Sequence, residues 1–161
     1  MRQIIVNSKT HGSKTILVDD EDFVLLSKFR WYVFKTPVTF YAEATVSFKT
    51  RARMHRFILM LKEGEVGDHI DGNGLNNQRS NLRKCTQHQN LMNMRKPSHN
   101  TTGFKGVVKV RNRFYAQMSL NNKHVFLGSY KTAIEAAEAY NKAALKHRGE
   151  FAKLNDLSCA V

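Results

Sequence analysis

Apolar and polar residues alternate in short bursts through the first fifty positions. Ile4–Val6, Thr15–Val18, Trp31–Phe34 and Phe40–Phe48 fit half-buried strands. Asp19, Asp20, Glu21 and Asp22 place carboxylates where a helix begins, complementing its positive end, with Phe23, Leu25 and Leu26 facing the core. The same four acids are also a candidate metal cluster. From Arg51 the period lengthens: Met54, Phe57, Ile58 and Leu61 recur at helical spacing and predict a helix over Arg51–Leu61. Val66–Ile70 and Leu82–Cys85 then read as the two strands of a hairpin. Asp71–Gly74 form a turn, because Gly and Asn tolerate left-handed backbone. Asn76, Asn77 and Arg79 continue an ordered loop, and Gln87–Met94 is a second helix.

Periodicity is lost over Arg95–Thr102, where Pro, Ser, Thr and Asn accumulate, so residues 97–102 read as a linker. Beyond it the pattern changes. Gly106–Val110, Phe114–Leu120 and His124–Tyr130 alternate as three strands, with Arg111-Asn112 and Asn121-Asn122 at the hairpin turns. Thr132 opens a helix running to about His147, and Glu135 three residues on completes a capping box. Ala133, Ala136, Ala137, Tyr140, Ala144 and Leu145 give it a narrow apolar stripe that can pack closely on a sheet. The class is α+β: residues 1–96 form one domain, with a strand-rich preface over 1–50, and residues 103–155 a three-stranded antiparallel sheet packed on one helix.

Charge alters this picture most. The 161 residues carry 26 Lys+Arg against 13 Asp+Glu, a net +13. The excess is +2 over residues 1–50, +5 over 51–100 and +6 over 101–161. Basic residues interleave with Asn, Gln, Thr and aromatics and do not line an amphipathic helix, which favours nucleic acid over a membrane surface. No apolar run approaches the roughly 20 residues of a membrane span, and the N-terminus lacks the apolar core of a signal peptide. Cys85 and Cys159 stand far apart, as reduced thiols of a cytosolic protein.

Candidate chemistry gathers around the hairpin. Asp68 and Asn90 offer hard oxygen ligands suited to one Mg²⁺ or Mn²⁺. His69 offers a base that can be neutral near pH 7. Metal, base and a polyanionic partner together point to phosphodiester hydrolysis. His88 is a rival ligand on a different helix face from Asn90. His55 either braces the hairpin or touches phosphate. Asn76, Asn77 and Asn93 are turn and cap residues or parts of the site. Arg51, Arg53, Arg56, Arg95 and Lys96 are candidate phosphate contacts.

Met54-His55-Arg56-Phe57-Ile58, Asp68-His69-Ile70-Asp71-Gly72-Asn73, Asn76-Asn77, Asn81-Leu82-Arg83, Thr86, Asn90 and Asn93 together resemble the HNH nucleases, in the branch found in homing endonucleases. The resemblance implies a ββα-metal finger, with His69 as general base, Asp68 and Asn90 as metal ligands and Asn81 as the middle Asn. Asp68 and Asn90 stand where other members use His, and Met94 where a further His is frequent. That implies a single Mg²⁺ or Mn²⁺ per active site.

Gly103–Val107, Phe114–Ala116, Phe126–Gly128, Ala136–Tyr140, Ala143-Ala144 and Gly149–Asn155 resemble the plant ethylene-response-factor DNA-binding domain, over nearly all of residues 103–155. The resemblance implies a sheet lying in the major groove of double-stranded DNA. Lys105, Lys109, Arg111, Arg113, Gln117 and Lys123 are the candidate readers on its exposed face. Phe104, Phe114, Phe126 and Tyr130 are core residues or base-stacking ones. Plant members carry Trp and more Arg at the sheet, so their recognition rules do not transfer.

The joint expectation is a site-directed DNA endonuclease of homing type, leaving 5′-phosphate and 3′-hydroxyl ends. As a monomer or weak homodimer it nicks once per active site, in the cytoplasm of a bacterium or phage-infected host. The rivals are a non-catalytic sequence-specific DNA-binding regulator and an RNA-binding or RNA-cleaving protein, the latter disfavoured because the deep A-form major groove excludes such a sheet.

Overall fold

The computed structural model describes residues 1–47, 50–93, 100–120 and 123–158. The chain forms two compact units, Met1–Asn90 and Leu91–Val161.

The first unit opens with an antiparallel hairpin, β1 (Arg2–Ser8) and β2 (Gly12–Val18), turned at Gly12 with φ +66°. Helix α1 (Asp20–Leu26) follows. It buries Leu26 but leaves Leu25 47% exposed; the inward position beside Leu26 is taken by Asp22. The expectation that Leu25 faces the core is therefore corrected. Strands β3 (Trp31–Lys35), β4 (Phe40–Ser47) and β5 (Thr50–Arg53) make a second antiparallel sheet in that order. β5 corrects another expectation. Thr50–Arg53 pairs with β4, Glu43 opposite Arg53 and Ala44 opposite Ala52, so helix α2 spans only Met54–Ile58. Strands β6 (Val66–His69) and β7 (Leu82–Cys85) form the central hairpin, joined by a loop that ends in the 3₁₀ turn Arg79–Asn81. Helix α3 runs Gln87–Met92, and its start is capped reciprocally by Thr86 and Gln89. Ile16, Val18, Leu26, Trp31, Ala42, Ala44, Met54, Ile58, Leu75 and Leu82 form one buried core.

In the second unit, strands β8 (Val107–Val110), β9 (Arg113–Leu120) and β10 (Lys123–Tyr130) form an antiparallel sheet with β9 central. Helix α4 (Ala133–Arg148) lies on one face. Thr132 and Glu135 close the capping box at its start, with both bonds at 3.2 Å. Ala136, Ala137, Tyr140 and Ala144 are buried against Val107, Ala116 and Met118, while Leu145 points to solvent. The small helix side chains let the sheet approach closely. At Gly106 (φ +74°) a side chain would collide with the Tyr140 ring.

Candidate functional site

The β6–β7 hairpin sends its two key residues to opposite faces, as adjacent strand residues must. Asp68 pairs across the ladder with Arg83. Arg83 Nε and Nη2 donate to Asp68 Oδ2 at 2.9 and 2.7 Å, and both side chains are nearly buried. His69 turns into the protein. Its ring lies edge-on to His55 at 4.8 Å between centroids and tilted against Tyr41 at 5.8 Å. Gly67 makes room for this packing, since a Cβ there would lie 3.0 Å from the His55 ring. The Arg53 guanidinium lies over the Tyr41 ring, 4.8 Å from its centre.

Asn77 fixes the His69 ring. It is fully buried, its Nδ2 donates to Gly74 O at 3.3 Å, and its Oδ1 lies 3.3 Å from His69 Nε2. An amide oxygen in that place accepts the Nε2 proton, and a neutral ring with its proton on Nε2 carries its basic lone pair on Nδ1. Burial pushes the His69 pKa below the ordinary value; the Asn77 bond and the Asp71 and Asp68 carboxylates act the other way. His55 is pushed down to about 3, first by burial and then by the positive charge of His69, Arg53 and Arg56.

Asn81 fixes the loop after His69. Its Oδ1 accepts from Asp71 N at 3.0 Å, and its Nδ2 donates to Asp71 Oδ1 at 3.0 Å and Asn76 O at 2.8 Å. Asp71 also accepts from Asn73 N and Asn76 Nδ2. Burial raises the Asp71 pKa, but those bonds outweigh it and hold the carboxyl below its usual range. The loop is sewn to β2 by Leu17 N to Leu75 O and Asn77 N to Leu17 O, at 2.9 and 2.8 Å. Gly74 sits so tightly on β4 that a Cβ would lie 2.7 Å from the Tyr41 ring.

The acid cluster has a structural role. Arg79 reaches both oxygens of Asp22 at 2.7–2.8 Å and Glu21 at 2.7 Å, its N–H bonds Asp19, and Asp20 takes Met1 and Arg2. No group of three or more His, Cys, Asp or Glu side chains arranged for a metal occurs among the described residues. The expected metal ligands are a carboxylate and an amide, two hard oxygen donors. That set suits Mg²⁺, which keeps several waters and takes substrate phosphate oxygens. Arg83 engages one Asp68 oxygen, and Asn90 is half-buried on α3. His88 is exposed on the same helix.

The expected DNA contacts divide. Arg51 is exposed on β5. Arg53 bonds Glu43 at 3.1 Å, and Arg56 clamps the carbonyls of Lys62 and Glu65. Arg95 and Lys96 lie outside the described residues, as do residues 97–99 of the expected linker, the Asn121-Asn122 turn and Cys159. In the second unit the placement on one exposed sheet face is corrected by register. Lys109 stands opposite Phe114, and Lys123 opposite Leu120, on the helix side of the sheet. Lys105 precedes β8, half-buried, its backbone held by the Asn155 side chain. Burial, with Arg148 and Lys153 nearby, lowers its pKa to about 8. Arg111 occupies the turn at φ +52°. Only Arg113 and Gln117 of this set share the outer face, beside Tyr115 and Phe126. Phe104, Phe114 and Tyr130 pack into the core, whereas Phe126 is 64% exposed.

The spacing of Asp68, His69, Asn81 and Asn90 marks the hairpin in the sequence. Tyr41, which packs on both His55 and His69, carries no such mark, because strand pairing brings it there; Arg53, expected to touch phosphate, lies over the Tyr41 ring.

No family model matches the chain. An uncharacterized HNH endonuclease of Acanthamoeba polyphaga mimivirus is 34% identical over 142 residues, covering 83% of this chain and 70% of its own. An AP2/ERF and B3 domain-containing transcription factor of Arabidopsis thaliana is 46% identical over 50 residues, 30% of this chain and 14% of its own. Protein 3.8 of Escherichia phage T7 is 45% identical over 47 residues, 29% of this chain and 39% of its own. The similarity to the mimivirus protein runs through most of both chains, and this chain belongs to the HNH endonuclease family.

Proposed function

We propose that the chain is a divalent-metal-dependent DNA endonuclease of homing type, whose β6–β7 hairpin and α3 act as the ββα-metal finger. The observation that carries the reading is the buried His69 ring, oriented by Asn77 in a loop locked by Asn81, one residue from the Asp68 carboxylate. His69 takes a proton from water through Nδ1, and the hydroxide attacks phosphorus in line with the departing 3′ oxygen. Asn77 stabilises the protonated ring's Nε2–H throughout. Asp68 and Asn90 would hold one Mg²⁺ or Mn²⁺, which supplies charge stabilisation at the phosphate. The products are 5′-phosphate and 3′-hydroxyl ends. One site per chain nicks one strand. The basic second unit, net +6 over residues 101–161, grips duplex DNA.

The test is relaxation of supercoiled plasmid with Mg²⁺. Wild type should convert it to the nicked circle, and His69→Ala should lose about 10²–10⁴ in rate with DNA affinity retained. A second reading, a non-catalytic DNA-binding regulator, is favoured by one observation: the Arg83 fork on Asp68 Oδ2. Plasmid left intact by wild type with either metal would establish it instead.

A further inference from the structure

The outer face of the β8–β9–β10 sheet is far less basic than the chain's net charge of +13 suggests. Register puts Val108 opposite Tyr115, Val110 opposite Arg113 and Gln117 opposite Phe126, all on the side away from α4. Phe126 is 64% exposed, Val108 and Val110 are each 41% exposed, and Gln117 is open to solvent. Tyr115 meets Phe126 edge to face at 5.7 Å, which holds the Phe126 ring in place. Arg113 is the only Lys or Arg of β8–β10 on this face among the described residues, where exposed His124 stands opposite Ser119. Arg113 is engaged: Nε donates to Ser129 Oγ at 3.0 Å and Nη2 to Ser129 O at 2.9 Å. Lys109 and Lys123 sit at helix-side positions of the edge strands β8 and β10 and Arg111 in the turn, so positive charge lies at the margins of the sheet and off its apolar outer centre.

A two- or three-stranded sheet face fits the major groove of B-DNA, where each base pair shows its own pattern. Guanine is read there by an Arg or Lys fork, adenine N6 and N7 by Asn or Gln, and the thymine methyl by apolar side chains. A face with Gln117 and three exposed apolar side chains, and with its one Arg engaged, is complementary to A·T pairs. The surrounding cations supply phosphate contacts at the groove edges. We infer that the outer sheet face reads A·T-rich duplex DNA, Gln117 pairing with adenine and Phe126, Val108 and Val110 covering thymine methyl groups. This rests on the proposal that the second unit grips duplex DNA, and it adds what that unit selects.

Binding of the full chain is measured in EDTA, where no cutting occurs, on duplexes of mixed-order A·T pairs, of G·C pairs, and of A·T pairs with uracil in place of thymine. Affinity should be roughly tenfold higher on A·T than on G·C. Uracil, which lacks only the methyl, should weaken binding about fourfold for each methyl covered. Phe126→Ala should reduce the thymine–uracil difference, and Gln117→Ala should remove the loss that 7-deazaadenine causes in wild type. Equal wild-type affinity for all three duplexes, with both variants weaker on each, overturns the A·T inference but leaves the sheet as the DNA contact. Both variants binding like wild type on every duplex overturns the inference together with the sheet's part in the proposed function. The uracil comparison uses unaltered protein, so it decides even if a variant misfolds.

Discussion

Replacing His55 by leucine should make the first unit markedly less sensitive to acid. His55 is buried beneath the hairpin, and its pKa in the folded chain is about 3, against an ordinary value of 6.5. Between those values the unfolded ring binds a proton and the folded ring does not, so stability falls as pH drops through this window. It is complete above pH 6.5 and levels off below pH 3. At pH 5 the unfolded ring is almost wholly charged, which costs about 2 kcal/mol; across the whole window the loss approaches about 5 kcal/mol. The assay is urea unfolding at a series of pH values between 7 and 4.5, followed by the emission of Trp31. That residue is the only tryptophan of the chain, is buried in this unit, and donates Nε1–H to Leu26 O at 2.8 Å. His55→Leu replaces a flat ring packed on Tyr41 and His69 by a branched side chain of different shape and should be less stable at pH 7. The gap between wild type and variant should nevertheless shrink by about 2 kcal/mol on going to pH 5. His69 and the carboxylates contribute to both curves and largely cancel. Parallel curves would show that His55 protonates without opening the fold, and the reasoning from its burial would fail.

Three further outcomes are expected. Asp68→Ala and Asn90→Ala should each raise the Mg²⁺ concentration needed for half-maximal plasmid nicking, with Mn²⁺ partly restoring turnover because it binds nitrogen and oxygen donors more tightly; full wild-type activity in excess EDTA would refute the metal requirement. Arg79→Ala should destabilise the first unit by about 1–3 kcal/mol in the same Trp31 assay, since it strands the buried Asp22 while the exposed half of the cluster contributes little. Raising salt should weaken DNA binding with a slope of about −0.9 per phosphate contacted, and Arg111→Ala should reduce that slope by about one if the turn touches phosphate.

Much of the architecture is legible in the residue pattern wherever contacts are local. The capping box of Thr132 and Glu135, the alternating strands of the second unit and the Asp71–Gly74 turn follow from neighbours a few positions apart. The failures have a common cause in distant pairing. Arg51, three residues before Met54, continues the helical period only until β4 is known to lie beside Thr50–Arg53. Asp22 displaces Leu25 from the core side because Arg79, 57 residues later, neutralises it. Lys109 and Lys123 fall on the helix side because the β9 register fixes which parity faces α4. At the candidate site, the spacing of Asp68, His69 and Asn81 marks the hairpin. The partners that orient it are different: Tyr41 arrives from β4 and Leu17 from β2, and neither carries a chemical signature.

The two backbone bonds from Leu17 to Leu75 and Asn77 bear on how portable this hairpin is. A hairpin whose turn is stitched to an N-terminal strand, and whose Gly74 is seated against β4, does not hold its shape as a free-standing cassette. Transplanting residues 51–93 into another scaffold would carry the sequence signature across and leave behind the strands that align His69. Recombination that creates new chimeras from this chain therefore has one permissive direction. The second unit can be exchanged after the hairpin, whereas the first fifty residues must travel with it.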